Sequence, residues 1–267
     1  MRPDAPGSGI SIERADGCWT VTLDRADKAN ALSRALVDAL AAAVGEAERE
    51  GAGVLVFRGA GRNFSAGFDF GGLEDQSDAE LAQRFVRIEM LLQAVARSTC
   101  LTVGLAHGRN FGAGADLFAA CKWRVAAPEA TFRMPGLAFG VVLGTRRFAA
   151  LVGSERARAV LEGLEIFGAE AAMAMGFATR IADQHVWDTV LAEAQATAAR
   201  LPDASRAALY RTLDGDAHDR DLADLVRSVS APGLKDRIRG YLAAQAAGRG
   251  PATAGSAAGT PASPGSR

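Results

Sequence analysis

Cysteine and histidine are scarce in this chain, and neither charge is in surplus. Cys18, Cys100 and Cys121 are odd in number, widely spaced and outside any C-x-x-C pair, so neither a disulfide framework nor a zinc site is indicated and reduced thiols are expected. A formal charge of −1 and a pI near 6.3 leave no basic excess to neutralise phosphates or an acidic lipid surface. Nucleic acid is therefore not an expected partner. No run approaches the ~18 uninterrupted apolar residues of a membrane span, and the opening MRPDAPGSG carries no apolar stretch of signal-peptide type. The expectation is a cytoplasmic protein with no membrane association.

What the chain does have is length and apolar content. At 267 residues, 49% hydrophobic and 23% charged, it can form one large core, or one core with a smaller appendage. Residues 10–24, ISIERADGCWTVTLD, read as two short strands joined at Asp16-Gly17, a pair that favours a tight hairpin turn. Leu32, Leu36, Leu40 and Val44 then recur at helical spacing, with Ser33 placed to cap and Gly51 near the end. VLVFRG and LTVGLAHG are buried-strand runs flanking a helical stretch at 77–97, which predicts parallel βαβ order. A third cycle follows, with a helix over 113–122 and a strand over 123–127. From 154 to 246 the pattern is nearly all helical, interrupted at 163–168 and 176–183 and around Pro202 and Pro232.

This divides the chain into a flexible N-terminus at 1–9, an α/β core at 10–185, a helical region at 186–246 and a disordered tail at 247–267. The tail is rich in Gly, Ala, Pro and Ser and lacks large apolar groups.

Chemistry is suggested by two glycine-rich turns, RGAGRNFSAGFDF at 58–70 and NFGAGADL at 110–117. Each can present free backbone N–H groups at a helix start, where partial positive charge favours an anion. A dinucleotide fingerprint fails because the third glycine site is Phe64 in one turn and Leu117 in the other, and no Gly-Lys-Ser/Thr occurs for a P-loop. A serine-hydrolase elbow lacks its first glycine before Ser65, and only His107, His185 and His218 could act as its base. The remaining mechanism is a two-donor oxyanion hole, one N–H from each turn, which needs small neighbours for close approach. Tight turns and close helix packing would use the same glycines.

In order and spacing, KANALSRALVDAL, GRNFSAGFDF, HGRNFGAGADLFAACKWRVAAPEATF, PGLAFG and LVGSERARAVLEG resemble the crotonase superfamily, which includes enoyl-CoA hydratases and isomerases. The resemblance spans residues 10–183. It implies an α/β fold, a spiral of ββα units with a C-terminal helical region that mediates a homotrimer or a dimer of trimers. It also implies an acyl-CoA substrate, with no cofactor beyond that thioester and no metal.

Carried over by position, the oxyanion donors are the N–H groups of Phe68 and Ala113, and the thioester lies against Ala66, Gly67, Asp69, Gly112 and Gly136. Asp116 stands where typical hydratases carry a glutamate, which implies a general acid or base with a shorter arm. An acid favoured near a helix N-terminus by the macrodipole is the alternative reading of Asp116. Asp69 also has a structural reading, as an acid common at that position.

The departure from the pattern is Gly136, where hydratases carry a second glutamate; Gly144, where dienoyl-CoA isomerases place an acid, is empty too. One-acid chemistry with an oxyanion hole is the expectation, as hydration or double-bond isomerisation. A noncatalytic acyl-CoA binder is one alternative. A thioester hydrolase or decarboxylase is another, in which Arg146 or Arg147 would hold a substrate carboxylate, and Arg133 lies in the same stretch.

Overall fold

The computed structural model describes residues 7–215 and 217–248. The expectations for the first six residues and for the tail beyond 248 lie outside the described residues. The chain opens on β1 (Ile10–Ala15) and β2 (Cys18–Leu23), an antiparallel hairpin. Asp16 and Gly17 both take left-handed backbone, φ 48° and 72°, the conformation that matches a two-residue turn to the strand twist. In α1 (Arg34–Arg49), Ser33 caps as expected, its Oγ accepting the Leu36 N–H at 3.3 Å. Leu36, Leu40 and Val44 face the core.

β3 (Val54–Gly59) is followed by α2 (Asp78–Arg97), which begins in a reciprocal Ser77/Glu80 capping box. Then come β4 (Leu101–Ala106), β5 (Arg109–Phe111) and α3 (Ala113–Ala120). The next unit is β6 (Trp123–Ala126), β7 (Thr131–Arg133) and α4 (Thr145–Val152). After α5 (Ser154–Gly163), β8 (Phe167–Gly168), α6 (Ala169–Ala174) and β9 (Arg180–Ile181), four helices complete the described chain. These are α7 (Trp187–Ala198), α8 (Asp203–Leu213), α9 (His218–Val229) and α10 (Leu234–Ala247).

The large sheet runs β1-β2-β3-β4-β6-β9, parallel from β2 onward, as the buried apolar runs predict. A second sheet, β5-β7-β8, is absent from the sequence reading. Its strands are two or three residues long, too short for a periodicity to show. Units β4-β5-α3 and β6-β7-α4 each give one strand to each sheet before their helix, so the chain advances as a spiral of ββα units. The helix expected to 122 stops at Ala120, where Cys121 turns extended, φ −78° and ψ 147°.

Alternation along the strands sends Leu55 and Phe57 into the main core and Val54 and Val56 into a second one. The second core is closed by Trp187, Val190, Ala194 and Ala198 of α7, so the first helix after residue 186 covers the sheet. α10 is fastened back onto the α/β part. The Asp78 carboxylate accepts N–H bonds from Gly233, Leu234 and Lys235 at 3.0, 3.0 and 2.8 Å, and Arg237 donates to Phe139 O at 2.9 Å. Among the described residues no helix is long and apolar enough to cross a membrane.

Candidate active site

The first glycine-rich turn is organised by Asn30, a fully buried side chain. Its Nδ2 donates to Ala60 O and Asn63 O at 2.9 and 2.8 Å, and its Oδ1 accepts the Arg25 N–H at 2.9 Å. Asn30 is itself buried, so these bonds satisfy the polar atoms of a side chain withdrawn from water. Ser65 Oγ donates to Asn30 O at 2.9 Å and accepts the Gly67 N–H at 3.2 Å. Ser65 is thus a turn residue. The three histidines are engaged elsewhere: His107 with Gly61 O, His185 with Asp183 and His218 with Asp214. The hydrolase triad is not assembled.

A parallel bridge between Ser65 and Asn110, with the Phe111 N–H donating to Ser65 O at 3.1 Å, brings the second turn against the first. Gly67, φ +85°, sits at the crossing. A Cβ there would collide with Phe111 O and stand 3.1 Å from Ala113 N. Gly67 O and Asp69 N–H bond to Leu32 on either side of Phe68, and the Phe68 N–H is left over. Ala113 begins α3, where an N–H has no intrahelical acceptor. Among the described residues neither N–H has a hydrogen-bond partner. Two free donors in abutting turns, each beside small residues, can receive one oxygen on which negative charge develops.

Both residues line a cavity of about 710 Å³, within the usual range for ligand sites. Ala66, Gly112, Gly136 and Asp116 also line it, whereas Gly67 and Asp69 do not. Gly67 is turned into the crossing. The Asp69 carboxylate accepts from Arg25 Nη1 at 2.8 Å and from the Gly71 N–H at 2.9 Å. Burial raises its pKa, but these bonds and the Arg25 charge outweigh burial and hold Asp69 below the ordinary aspartate value. Phe68, Phe70, Phe85, Phe139 and Tyr241 wall the cavity, with Phe68 stacked on Phe85 at 4.2 Å between centroids. Stacked rings give the cavity a rigid apolar wall.

Asp116 is the one carboxylate lining this cavity among the described residues. It is 3% exposed, and its Oδ1 is buried without a hydrogen-bond partner. Burial pushes its pKa well above the ordinary 3.8; the charge of Arg147 opposes the rise and that of Glu89 adds to it. The carboxyl packs against Gly144, where any Cβ would collide with Oδ1. An acid at 144 and Asp116 in this position are therefore mutually exclusive. A Cβ on Gly136 would meet Val141 O at 2.9 Å, so a second acid there also requires the backbone to shift.

The arginines expected to hold a substrate carboxylate are placed otherwise. Arg146 is paired with Asp221 and Asp224 of α9 and does not line the cavity. Arg147 donates to Glu89 at 3.2 Å and does not line it either. Arg133 does line it, while donating to Leu164 O and Gln245 Oε1 at 3.3 Å each. The sequence reading missed Glu89, although a signal exists. It falls on the same helix face as Leu81, Phe85 and Leu92, where a charge must be buried. Among the described residues no cluster of three His, Cys, Asp or Glu side chains is arranged to hold a metal.

Residues 13–225 match the sequence model of the family Enoyl-CoA hydratase/isomerase. A Mycobacterium tuberculosis (strain CDC 1551 / Oshkosh) protein named probable enoyl-CoA hydratase is 36% identical over 195 residues, 72% of this chain and 75% of that one. Ethylmalonyl-CoA decarboxylase of Rattus norvegicus is 30% identical over 200 residues, 71% of this chain and 66% of that one. A solved Bordetella parapertussis structure, provisionally assigned as an enoyl-CoA hydratase/isomerase, superposes with a TM-score of 0.87 at 55% identity. It covers 88% of this chain and 98% of that one.

Proposed function

The chain belongs to the enoyl-CoA hydratase/isomerase family, and on that premise we propose that it moves a double bond in an enoyl-CoA thioester, with Asp116 as the one acid/base. A single observation supports this above others: one buried, unpartnered carboxylate lines the cavity beside two free N–H groups. The thioester oxygen would accept from Phe68 and Ala113 N–H. Asp116 takes the proton from C2 of a 3-enoyl thioester; the C–H electron pair spreads onto the oxygen as a dienolate. The same carboxyl returns the proton at C4, the double bond ends between C2 and C3, and no atom is gained or lost.

Hydration asks for more, because a water must be held and two protons handled. With glycine at 136 the cavity has no second carboxylate for that work among the described residues. Tuning Asp116 upward suits a base that must also give its proton back, since proton transfer is most efficient when the pKa lies near the working pH.

Decarboxylation is the second reading, motivated by the relative named ethylmalonyl-CoA decarboxylase. Loss of carbon dioxide from a malonyl-type thioester leaves an enolate, and a protonated Asp116 would supply the proton to its α-carbon. Mass spectrometry with chromatographic separation of isomers, after incubation with crotonyl-CoA, a 3-enoyl-CoA and a substituted malonyl-CoA, separates the readings. The expected result is a shifted double bond at constant mass. Gain of water, loss of carbon dioxide, or unchanged thioesters that still bind would each replace the isomerase reading with hydratase, decarboxylase or noncatalytic binder.

Oligomerisation through the C-terminal helices belongs to the same proposal. Leu209 and Leu213 of α8 are 42% and 75% exposed, and Leu201, which precedes the helix, is 41% exposed, apolar surface of the kind an interface covers. Light scattering is expected to give a trimer or a dimer of trimers; a monomer would remove this part of the reading. Cytoplasmic acyl-CoA metabolism is the setting that this activity implies.

A further inference from the structure

Behind Asp116, away from the cavity lining, lies a buried ion pair that the isomerase chemistry does not use. Glu89 of α2 is 1% exposed, and its Oε1 accepts from Arg147 Nη2 at 3.2 Å and from Gln93 Nε2 at 3.0 Å. Gln93 also donates to the carbonyl of His218, which ties this corner to α9. Arg147 belongs to the first turn of α4, the turn that begins at Gly144, against which the Asp116 carboxyl packs. Three side-chain atoms in this corner are buried and unpartnered, His218 Nδ1, Arg147 Nη1 and Asp116 Oδ1, and the last two are complementary, a donor and an acceptor.

We propose that Glu89 is a positioning residue for proton transfer at Asp116: it holds Arg147 by Nη2, leaves Nη1 for the Asp116 side, and with its own charge sets how readily Asp116 ionises. The inference rests on the reading of Asp116 as the proton carrier. The groups facing this corner are few. Glu89 comes from α2, Arg147 from α4, and Asp221 from α9 stands 4.0 Å from Arg147 Nη2, itself paired with Arg146. His218 is turned to Asp214.

With Asp221 paired to Arg146, Glu89 and Asp116 share the one remaining arginine, Arg147, and cannot both be neutralised by it. One acid must carry the imbalance. Glu89 has the arginine and the glutamine, so Asp116 is the acid left without a partner. The charges named with burial as acting on Asp116 are these same two, Arg147 lowering its pKa and Glu89 raising it.

The test is a carbon-13 NMR titration of the full chain labelled at the aspartate carboxyls, with Asp116→Asn identifying the Asp116 signal. Glu89→Gln keeps the acceptor for Arg147 but removes the charge, and should move the Asp116 midpoint down by roughly one pH unit, the scale of one nearby charge under protein screening. Arg147→Gln should move it up. Glu89→Asp, which restores the charge, should lie near the parent. The acidic limb of kcat/KM should follow the midpoint in each variant.

If the midpoint stays in place in every variant that retains its fold by circular dichroism, Glu89 is a packing residue and the proposal is overturned. The titration reads Asp116 without turnover. A shifted midpoint in an enzyme whose Asp116→Asn variant remains fully active would therefore overturn the proton-carrier reading and leave the Glu89 effect on ionisation standing.

Discussion

Asp116→Asn is expected to lower kcat by about 10²–10⁴-fold, the contribution typical of a positioned acid or base, while raising thermal stability at neutral pH. The two signs come from one cause. Burial raises the Asp116 pKa well above 3.8, which means that the fold prefers the protonated form. Between the unfolded and folded pKa values the native state binds more protons than the unfolded state, so stability falls as pH rises through that window.

The stability lost begins to appear above 3.8 and is fully lost only above the raised value. Asparagine has no charge to bury. Its advantage over the parent should be greatest at neutral pH and should shrink as pH is lowered toward 3.8, in paired thermal-unfolding scans. Reduced activity together with increased stability marks a residue kept for chemistry. If instead the variant is less stable at neutral pH and just as active, Asp116 is a structural acid.

Much of this site was legible in the sequence because its parts are local. The pattern SAG before Phe68 and the small residues around Ala113 declare that backbone must come close, and Asp116 follows at a fixed distance along one helix. The large parallel sheet was legible for the same reason, as continuous apolar runs separated by helical periods. Contacts between remote segments were not legible. β5 and β8 are three and two residues long and are defined by what they pair with. Glu89 and Arg147 are 58 positions apart; only the packing of α3 against both α2 and α4 makes them neighbours of Asp116. Reading Arg146 and Arg147 as substrate clamps failed because adjacent residues on a helix point in different directions, one toward α9 and the other toward α2.

Gly67→Ala is the corresponding probe of the two backbone donors, which no side-chain deletion can remove. The methyl group would collide with Phe111 O and press on Ala113 N at 3.1 Å, so the second turn must move away from the first. Losing one well-placed oxyanion donor costs about 2.7–4 kcal/mol in the transition state, roughly 10²–10³-fold in kcat. The loss should fall on kcat more than on KM, because the oxygen carries its full negative charge only as the dienolate forms.

Strain alone must be separated from this collision, since Gly67 has φ +85° and alanine is disfavoured there. Gly17, φ +72°, provides the control, because a Cβ at that hairpin turn meets nothing within 4 Å. Gly17→Ala should lower the melting temperature and leave turnover unchanged. Gly67→Ala should reduce turnover far beyond what its melting temperature explains. Equal turnover in both variants would mean that the N–H groups of Phe68 and Ala113 do not bear the developing charge, and that the close crossing of the two turns serves packing alone.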